Sequence, residues 1–379
     1  MRIFVFGTRG MPNVQGGVEK HCEELYPRLV APVARPASSH SGCAWKITVF
    51  RRRAYVHDSD KQWNHIDFID LPSTRIKGFE TVFHSLLCAI VCIFRRPDVV
   101  HVHNIGPGVF IPLLRVFGLK TVLTYHSANY EHAKWNFWQK RIIRVCERFA
   151  LKFSNGIIFV SRSQRDKFPK YHGKSYWIPN GVGKPVRSNS AEYVESLGLK
   201  PGQYVLAVGR ITEEKGFDCL IEAWKKTDHQ PFRLVIAGGS DHATPFVKRL
   251  TRQAEENHVV MAGFVTGEKL NPLYSHARLF VLPSYNEGLP LALLEAMSYS
   301  LPVLAGDITP NLDIGLPEDC YFRTGNAEDL AVRLKDRLKN EPTVVPWSLD
   351  HYDWDSVAEQ TSSVYTALIP PGARDRESG

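Results

Sequence analysis

The sequence predicts an α/β protein built from two doubly wound parallel sheets. Three observations carry this. Short, nearly continuous apolar runs rich in Val, Ile and Phe alternate with longer helix-period stretches along the whole chain. The 379 residues exceed one ordinary core and suit two. A Pro/Gly/Ser-rich stretch, IPNGVGKPVRSNS over 178–190, has little to bury and reads as the junction.

In the first half, strands are expected at Arg2–Phe6, Lys46–Phe50, Val99–Val102, Thr121–Tyr125 and Gly156–Val160, with helices over Glu19–Leu29 and Lys140–Phe153. In the second half the strands are Tyr204–Val208, Arg233–Ala237, Val259–Ala262, Arg278–Leu282 and Pro302–Ala305, with helices over Phe217–Lys225 and Leu291–Ser298. APVARPASSHSG (31–42) reads as a loop, and PGARDRESG at the end as a disordered tail. The domains are then 1–183 and 184–350, followed by a C-terminal helix within 351–369 and a tail over 370–379.

Composition limits the function classes. With 44% hydrophobic and 23% charged residues the chain is neither disordered nor fibrous. Its longest apolar run, Leu86–Phe94, falls well short of the ~20 residues that span a bilayer. MRIFVFGTRG lacks a signal-peptide cleavage pattern, so a cytoplasmic chain is expected. The seven scattered cysteines form no C-x-x-C and read as buried hydrophobes in a reducing compartment. Net charge is uneven: residues 1–184 hold 28 Lys and Arg against 12 Asp and Glu, a balance of +16, while the remainder carries −8. The first half therefore suits an anionic partner or a solvated basic surface. Nucleic acid is not expected, because no base-stacking motif accompanies the charge.

The motifs sit where strands end. GTRGMPNVQGGVEK follows the first strand, and Gly16–Gly17 allow close approach of a phosphate or sugar at a helix start, or simply a tight turn. The spacing is not G-x-G-x-x-G, which argues against a dehydrogenase. In VGRITEEKGFD, Arg210 and Lys215 follow a strand in the second half, placed to grip a diphosphate or to face solvent. PSYNEGLPLALLEAMSYSLPVLA offers Glu287 before a helix, Glu295 eight positions on, backbone donors at Gly288–Leu289 and Pro290 in the first helical turn. A carboxylate in that position suits a ribose diol. His126 ends a strand at the sheet's carboxyl edge. His101 and His103 share a strand face with no evident third ligand, so packing and hydrogen bonding are expected of them rather than a metal. Asp58-Ser59-Asp60, beside Arg51–Arg53, reads as self-paired loop charge.

Together these strings resemble a family 4 glycosyltransferase of the GT-B fold from Met1 to about Tyr365. The strongest matches are PSxxEGLPLxLLEAM, Arg210/Lys215 and the link Ile178–Val182. GTRGMPNVQGGVEK, HNIGPGVF and Lys134-Trp135 are similar to a bacterial subgroup that builds exopolysaccharide and O-antigen (lipopolysaccharide) chains. YDWDSVAEQTSSVY (352–365) resembles the family's last helix, which crosses back onto the first domain.

The resemblance implies two Rossmann-like domains facing across a cleft and retaining transfer of a hexosyl-type sugar from a nucleotide diphosphate sugar. The acceptor would be a glycan or polyprenyl-diphosphate-linked saccharide, with no cofactor and no metal required. It implies that Glu295 holds the ribose, Glu287 lies near the donor sugar, and Arg210 and Lys215 neutralise the departing diphosphate. Gly288–Leu289 and Gly17 would donate from the backbone, Phe264 and Val265 line the base pocket, and His126 sit near the reacting centre. Where relatives commonly show His-Gly-x-Asp, this chain has His126-Ser127-Ala128-Asn129, which removes a charge near the sugar; His132 replaces a frequent Arg. A GT-B-like sugar-nucleotide epimerase and a non-catalytic nucleotide-sugar-binding protein are the alternatives. KWNFWQKRIIR (134–144) mixes aromatics and cations, as does a helix lying in the inner face of an anionic membrane or one lining a cleft.

Overall fold

The computed structural model describes residues 1–14, 16–30, 45–56, 62–74, 79–126, 137–240, 243–340 and 344–369. The 31–42 loop, Asp58–Asp60, Ser127–Asn129, His132, Lys134-Trp135, the side chains of Phe137 and Trp138, and the tail lie outside the described residues. The chain divides into two compact units: Met1–Gly181 together with the chain from His351 onward, and Val182–Asp350.

The first unit runs β1 (Arg2–Phe6), α1 (Gly17–Val30), β2 (Lys46–Arg52), β3 (Gln62–Trp63), β4 (Ile66–Leu71), α2 (Glu80–Arg95), β5 (Val99–His103), α3 (Ile105–Gly108), α4 (Ile111–Val116), β6 (Thr121–Tyr125), α5 (Phe137–Phe153), β7 (Gly156–Phe159), α6 (Arg162–Asp166) and β8 (Ser175–Trp177). The second holds α7 (Glu192–Ser196), β9 (Tyr204–Val208), α8 (Phe217–Lys225), β10 (Arg233–Ala237), α9 (Pro245–Glu256), β11 (Val260–Gly263), α10 (Gly267–Ser275), β12 (Leu279–Leu282), α11 (Leu291–Ser298), β13 (Val303–Gly306), α12 (Thr309–Leu312), β14 (Tyr321–Phe322) and α13 (Ala327–Lys339). The last helix, α14 (Trp354–Leu368), belongs to the first unit.

The first sheet has the order β3-β4-β2-β1-β5-β6-β7-β8, parallel except for the β3–β4 pair. Its strands are apolar on both faces because both are covered. Ile3 and Val5 pack with α1 and α14, through Leu25, Tyr26, Val357 and Tyr365. Phe4 and Phe6 pack the opposite way, with Cys88, Cys92, Leu114 and Leu151 of α2, α4 and α5. The second sheet, β11-β10-β9-β12-β13-β14, is parallel throughout, with a core that includes Leu220, Trp224, Leu250 and Leu334 on one side.

Four strands escape the sequence reading. β3, β8 and β14 span two or three residues, too few to show a pattern. β4, IDFIDL, has its apolar run broken by Asp67 and Asp70. Asp70 is tolerated because it accepts from the wholly buried Arg51, Nε–Oδ1 2.7 Å. Asn64 and His65, at φ 47° and 63°, make the tight turn that reverses β3 onto β4. Among the described residues no helix is long and apolar enough to cross a membrane, and Cys22, Cys88, Cys92, Cys219 and Cys320 are buried free thiols.

Candidate active site

In the second unit the strand order reverses at β9, which lies between β10 and β12. Open α/β sheets bind ligands at the carboxyl ends of their strands at such a point. The backbone is bare there. A Cβ at Gly238, after β10, would overlap the Gly209 carbonyl oxygen after β9. Gly216, at φ 64°, closes a 3₁₀ turn over Glu213–Lys215, and any Cβ on it would overlap the Pro283 carbonyl oxygen. That close approach sets the loop after β9 against the loop after β12.

The result is a three-residue cluster. Lys215 Nζ donates to Glu287 Oε1 at 2.6 Å, and Ser284 Oγ donates to the same oxygen at 2.7 Å. Both charged side chains are largely buried, at 19% and 9% exposure, so each fixes the other in place. Arg210 is more open and lies 3.6 Å from Glu214, an i,i+4 contact that holds it weakly. Glu295, on α11, accepts from the Tyr274 hydroxyl at 3.1 Å. Burial, reinforced by Glu295's charge, pushes the Tyr274 phenol well up, which keeps it a donor.

Helix α11 starts at Leu291, so Pro290 stands one place before the first turn where it was expected. Among the described residues, the Gly288 and Leu289 N–H groups just ahead donate to no protein atom. Phe264 follows β11, over half exposed and packed on Gly239, with Val265 beside it half-buried. Arg210, Lys215, Glu287, Gly288 and Phe264 thus all follow strands at one edge of one sheet, while Glu295 lies on α11, whose start faces that edge's β12 loop. Ser284 and Tyr274 were not foreseen. Ser284 stands inside the motif, three places before Glu287; Tyr274 has no local signal, because only packing brings it to Glu295.

In the first unit Gly17 opens α1 and Gly16 precedes it at φ 150°. A Cβ on Gly16 would overlap the Glu19 carboxylate. Glu19 Oε1 accepts from Arg9 N at 2.9 Å and Thr8 Oγ1 at 3.2 Å, so a carboxylate of α1 pins the loop after β1.

His126, at the end of β6, is buried and 2.9 Å from His103 Nδ1 through its Nε2. His103 Nε2 meets the Tyr26 hydroxyl at 2.5 Å. His101 bridges Tyr365 at 2.6 Å and Thr124 at 2.6 Å, as expected of a structural imidazole. Among the described residues the His101–His103 pair gains no third ligand, but His103 belongs to another set: ligand atoms of His21, His103 and His126 lie within 4.8 Å of one another. His21, on α1, lies far in sequence from the strand histidines, which is why spacing did not reveal it. Its Nδ1 donates to Asn180 Oδ1 at 2.6 Å, leaving Nε2 buried without a partner. These are the described residues able to hold a metal. The existing bonds describe a neutral network instead. Burial lowers His21 to about 4 despite the Asn180 bond, and burial with neighbouring imidazoles holds His103 and His126 well below the usual range. His126 is therefore an uncharged hydrogen-bonding group at neutral pH.

Two α/β units, each built on a mainly parallel sheet, have the architecture of the GT-B fold. The glycosyltransferase family 4 profile matches residues 15–183, and that of the glycosyl transferases group 1 matches 190–349. The chain is 30% identical over 293 residues to an uncharacterized glycosyltransferase of Methanocaldococcus jannaschii, covering 71% of this chain and 75% of that one. Among solved structures, sucrose-phosphate synthase from Thermosynechococcus elongatus superposes with a TM-score of 0.81 at 22% identity, covering 97% and 98% of the two chains. Anabaena HepE in complex with UDP-glucose gives 0.75 at 14% identity, covering 97% and 99%. The chain belongs to the family 4 glycosyltransferases, and it is an enzyme of that kind.

Proposed function

We propose that the protein moves a hexosyl-type sugar from a nucleotide diphosphate sugar to a glycan or polyprenyl-diphosphate-linked saccharide, with retention and without a metal, in exopolysaccharide or O-antigen assembly. The observation that carries this is the Lys215–Glu287–Ser284 cluster at the switch point of the second sheet. It supports a preorganised cation for a leaving diphosphate.

In the proposed reaction the anomeric C–O bond breaks with its electron pair going to the β-phosphate oxygen. Lys215, Arg210 and the Gly288–Leu289 N–H groups stabilise the charge that builds there. The acceptor oxygen forms its bond on the face that the phosphate leaves, and its proton passes to a phosphate oxygen. Glu287 is tied through one oxygen to Lys215 and Ser284, which supports a positioning role over that of a nucleophile. Glu295 holds the ribose, Phe264 and Val265 flank the base, Gly16–Gly17 approach the donor and His126 the sugar. UDP is the first base to test, because the Anabaena neighbour is described with UDP-glucose. The named relatives are transferases and synthases, so the epimerase and non-catalytic readings are set aside.

Thermal-shift titration with UDP, GDP and dTDP sugars tests the donor reading. A ligand at a hundred times its Kd stabilises by about 2.7 kcal/mol. One base should shift the melting temperature clearly, and sugar transfer from it should persist in EDTA. Loss of transfer in EDTA, restored by a divalent ion, rejects the metal-free reaction. The +16 balance of residues 1–184 supports a lipid-linked acceptor at an anionic inner membrane face, with the protein cytoplasmic and peripheral.

A further inference from the structure

Three histidines of the first unit converge from distant parts of the chain: His21 of α1, His103 at the end of β5 and His126 just after β6. All are buried, and His126, the most exposed of them at 8%, stands at the carboxyl edge of the sheet, which gives an ion its approach. Hydrogen bonds fix which nitrogen each ring can offer. Asn180 Oδ1 accepts from His21 Nδ1 at 2.6 Å, so the lone pair of that ring is on Nε2. Among the described residues that Nε2 is buried with no partner, and a network built only for packing does not leave such an atom unpaired. The Tyr26 hydroxyl at 2.5 Å and the Cys22 thiol at 3.7 Å both face His103 Nε2, which leaves Nδ1. His126 meets that Nδ1 through its own Nε2 at 2.9 Å.

We propose that His21, His103 and His126 bind one divalent transition ion of the zinc class, through His21 Nε2, His103 Nδ1 and His126 Nε2. Three imidazoles with no carboxylate in the set suit zinc, cobalt or nickel, and not magnesium or calcium. Nitrogens that share a tetrahedral ion at about 2.0–2.1 Å lie about 3.3 Å apart. Here the ligand atoms are within 4.8 Å of one another, with one pair at 2.9 Å, so small ring rotations complete the set. The ion takes the place of the proton that lies between His103 and His126. That proton moves to the other nitrogen of the ring that carries it, Nδ1 of His126 or Nε2 of His103, and in the second case the Tyr26 oxygen accepts it. Both rings stay neutral, and no proton is released. Asn180 and Tyr26 then hold His21 and His103 from behind with their lone pairs on the ion, as the outer partners of ligating histidines do. The ion is not a cofactor of the proposed transfer. It meets that reaction at one point, since the His126 nitrogen it occupies belongs to the ring read above as approaching the sugar.

The full chain, stripped with EDTA and dialysed free of it, is titrated with zinc alone in competition with a chromophoric chelator. Expected is one zinc per chain at micromolar affinity or tighter, unaffected by millimolar magnesium. His21→Gln keeps an N–H for Asn180 but removes the imidazole, and Asn180→Ala releases the His21 tautomer; each should weaken zinc at least tenfold. Circular dichroism separates lost binding from lost folding. Cobalt bound to the parent should show the visible bands of a four-coordinate nitrogen site, a readout that needs no variant. A parent with no one-to-one site, a parent without those cobalt bands, or a folded His21→Gln that binds zinc like the parent overturns the proposal. Saturating zinc should also shrink the nucleotide-sugar thermal shift, a consequence that rests on the sugar-side reading of His126. Zinc bound at the three histidines with an unchanged donor shift removes His126 from the sugar and leaves the site standing. A normal donor shift in a chain that takes up no zinc overturns the site and leaves the donor reading intact.

Discussion

Lys215 and Glu287 stand 72 positions apart, yet share a 2.6 Å contact. Neither is free to wander, and the chemistry proposed for them needs that rigidity, since charge stabilisation works best when no reorganisation is required. Arg210 is held more loosely, so it gains most from a bound diphosphate. Arg210→Ala should lower kcat at least about a hundredfold, because removing one such donor costs roughly 2.7–4 kcal/mol. Near-normal turnover at saturating donor would show that Arg210 does not serve the leaving group. Glu295→Ala should act differently and raise the donor KM with little change in kcat, since ribose contacts are made equally in ground and transition states. A fall in kcat alone would move Glu295 out of the ribose role. Glu295 and Glu287 were legible in sequence because their motif is local. Their partners Tyr274 and Ser284 were recognised only through contacts that folding creates.

At the scale of elements, the ends of β5 and β6 meet α1 and α14 in a buried chain of imidazoles and phenols. Tyr365 of α14 reaches His101, Tyr26 of α1 lies 3.0 Å from the same nitrogen, and Trp354 packs edge-on against His21. Asp353 caps α14 by accepting from Asp355 N and Ser356 N, each at 3.1 Å. Gly181 allows the helix in, because a Cβ there would overlap the Trp354 indole. The cluster predicts acid lability. His21 is lowered from 6.5 to about 4 by burial, so between those values the unfolded chain binds a proton that the folded chain refuses. Stability is therefore full above about pH 6.5 and falls as pH drops toward 4, by about 3 kcal/mol for this one group. His101, lowered to about 3, adds to the same slope. The melting temperature measured from pH 7.5 to 4.5 should decline below 6.5. A flat profile would mean that the imidazoles are not held neutral. None of this was visible as spacing, because α1 and the two strands approach only through the β1–β5–β6 strand order.

At the scale of the whole molecule, charge separates along the chain, with +16 in residues 1–184 and −8 in the rest. The basic excess appears in the first unit as cations interleaved with apolar side chains on α5. Sequence periodicity alone determined that the chain forms two parallel α/β sheets, because strands buried on both faces must be apolar at nearly every position and helices between them must show one apolar side. It also determined where charge follows a strand end, since motif and strand are adjacent in the chain. Only the tertiary structure decided that Lys215 meets Glu287, that three histidines converge, and that the outer sides of α2 and α5 stay bare. Those facts depend on which strands become neighbours and which helix faces find a partner, and residues distant in sequence acquire such relations only when the sheets assemble.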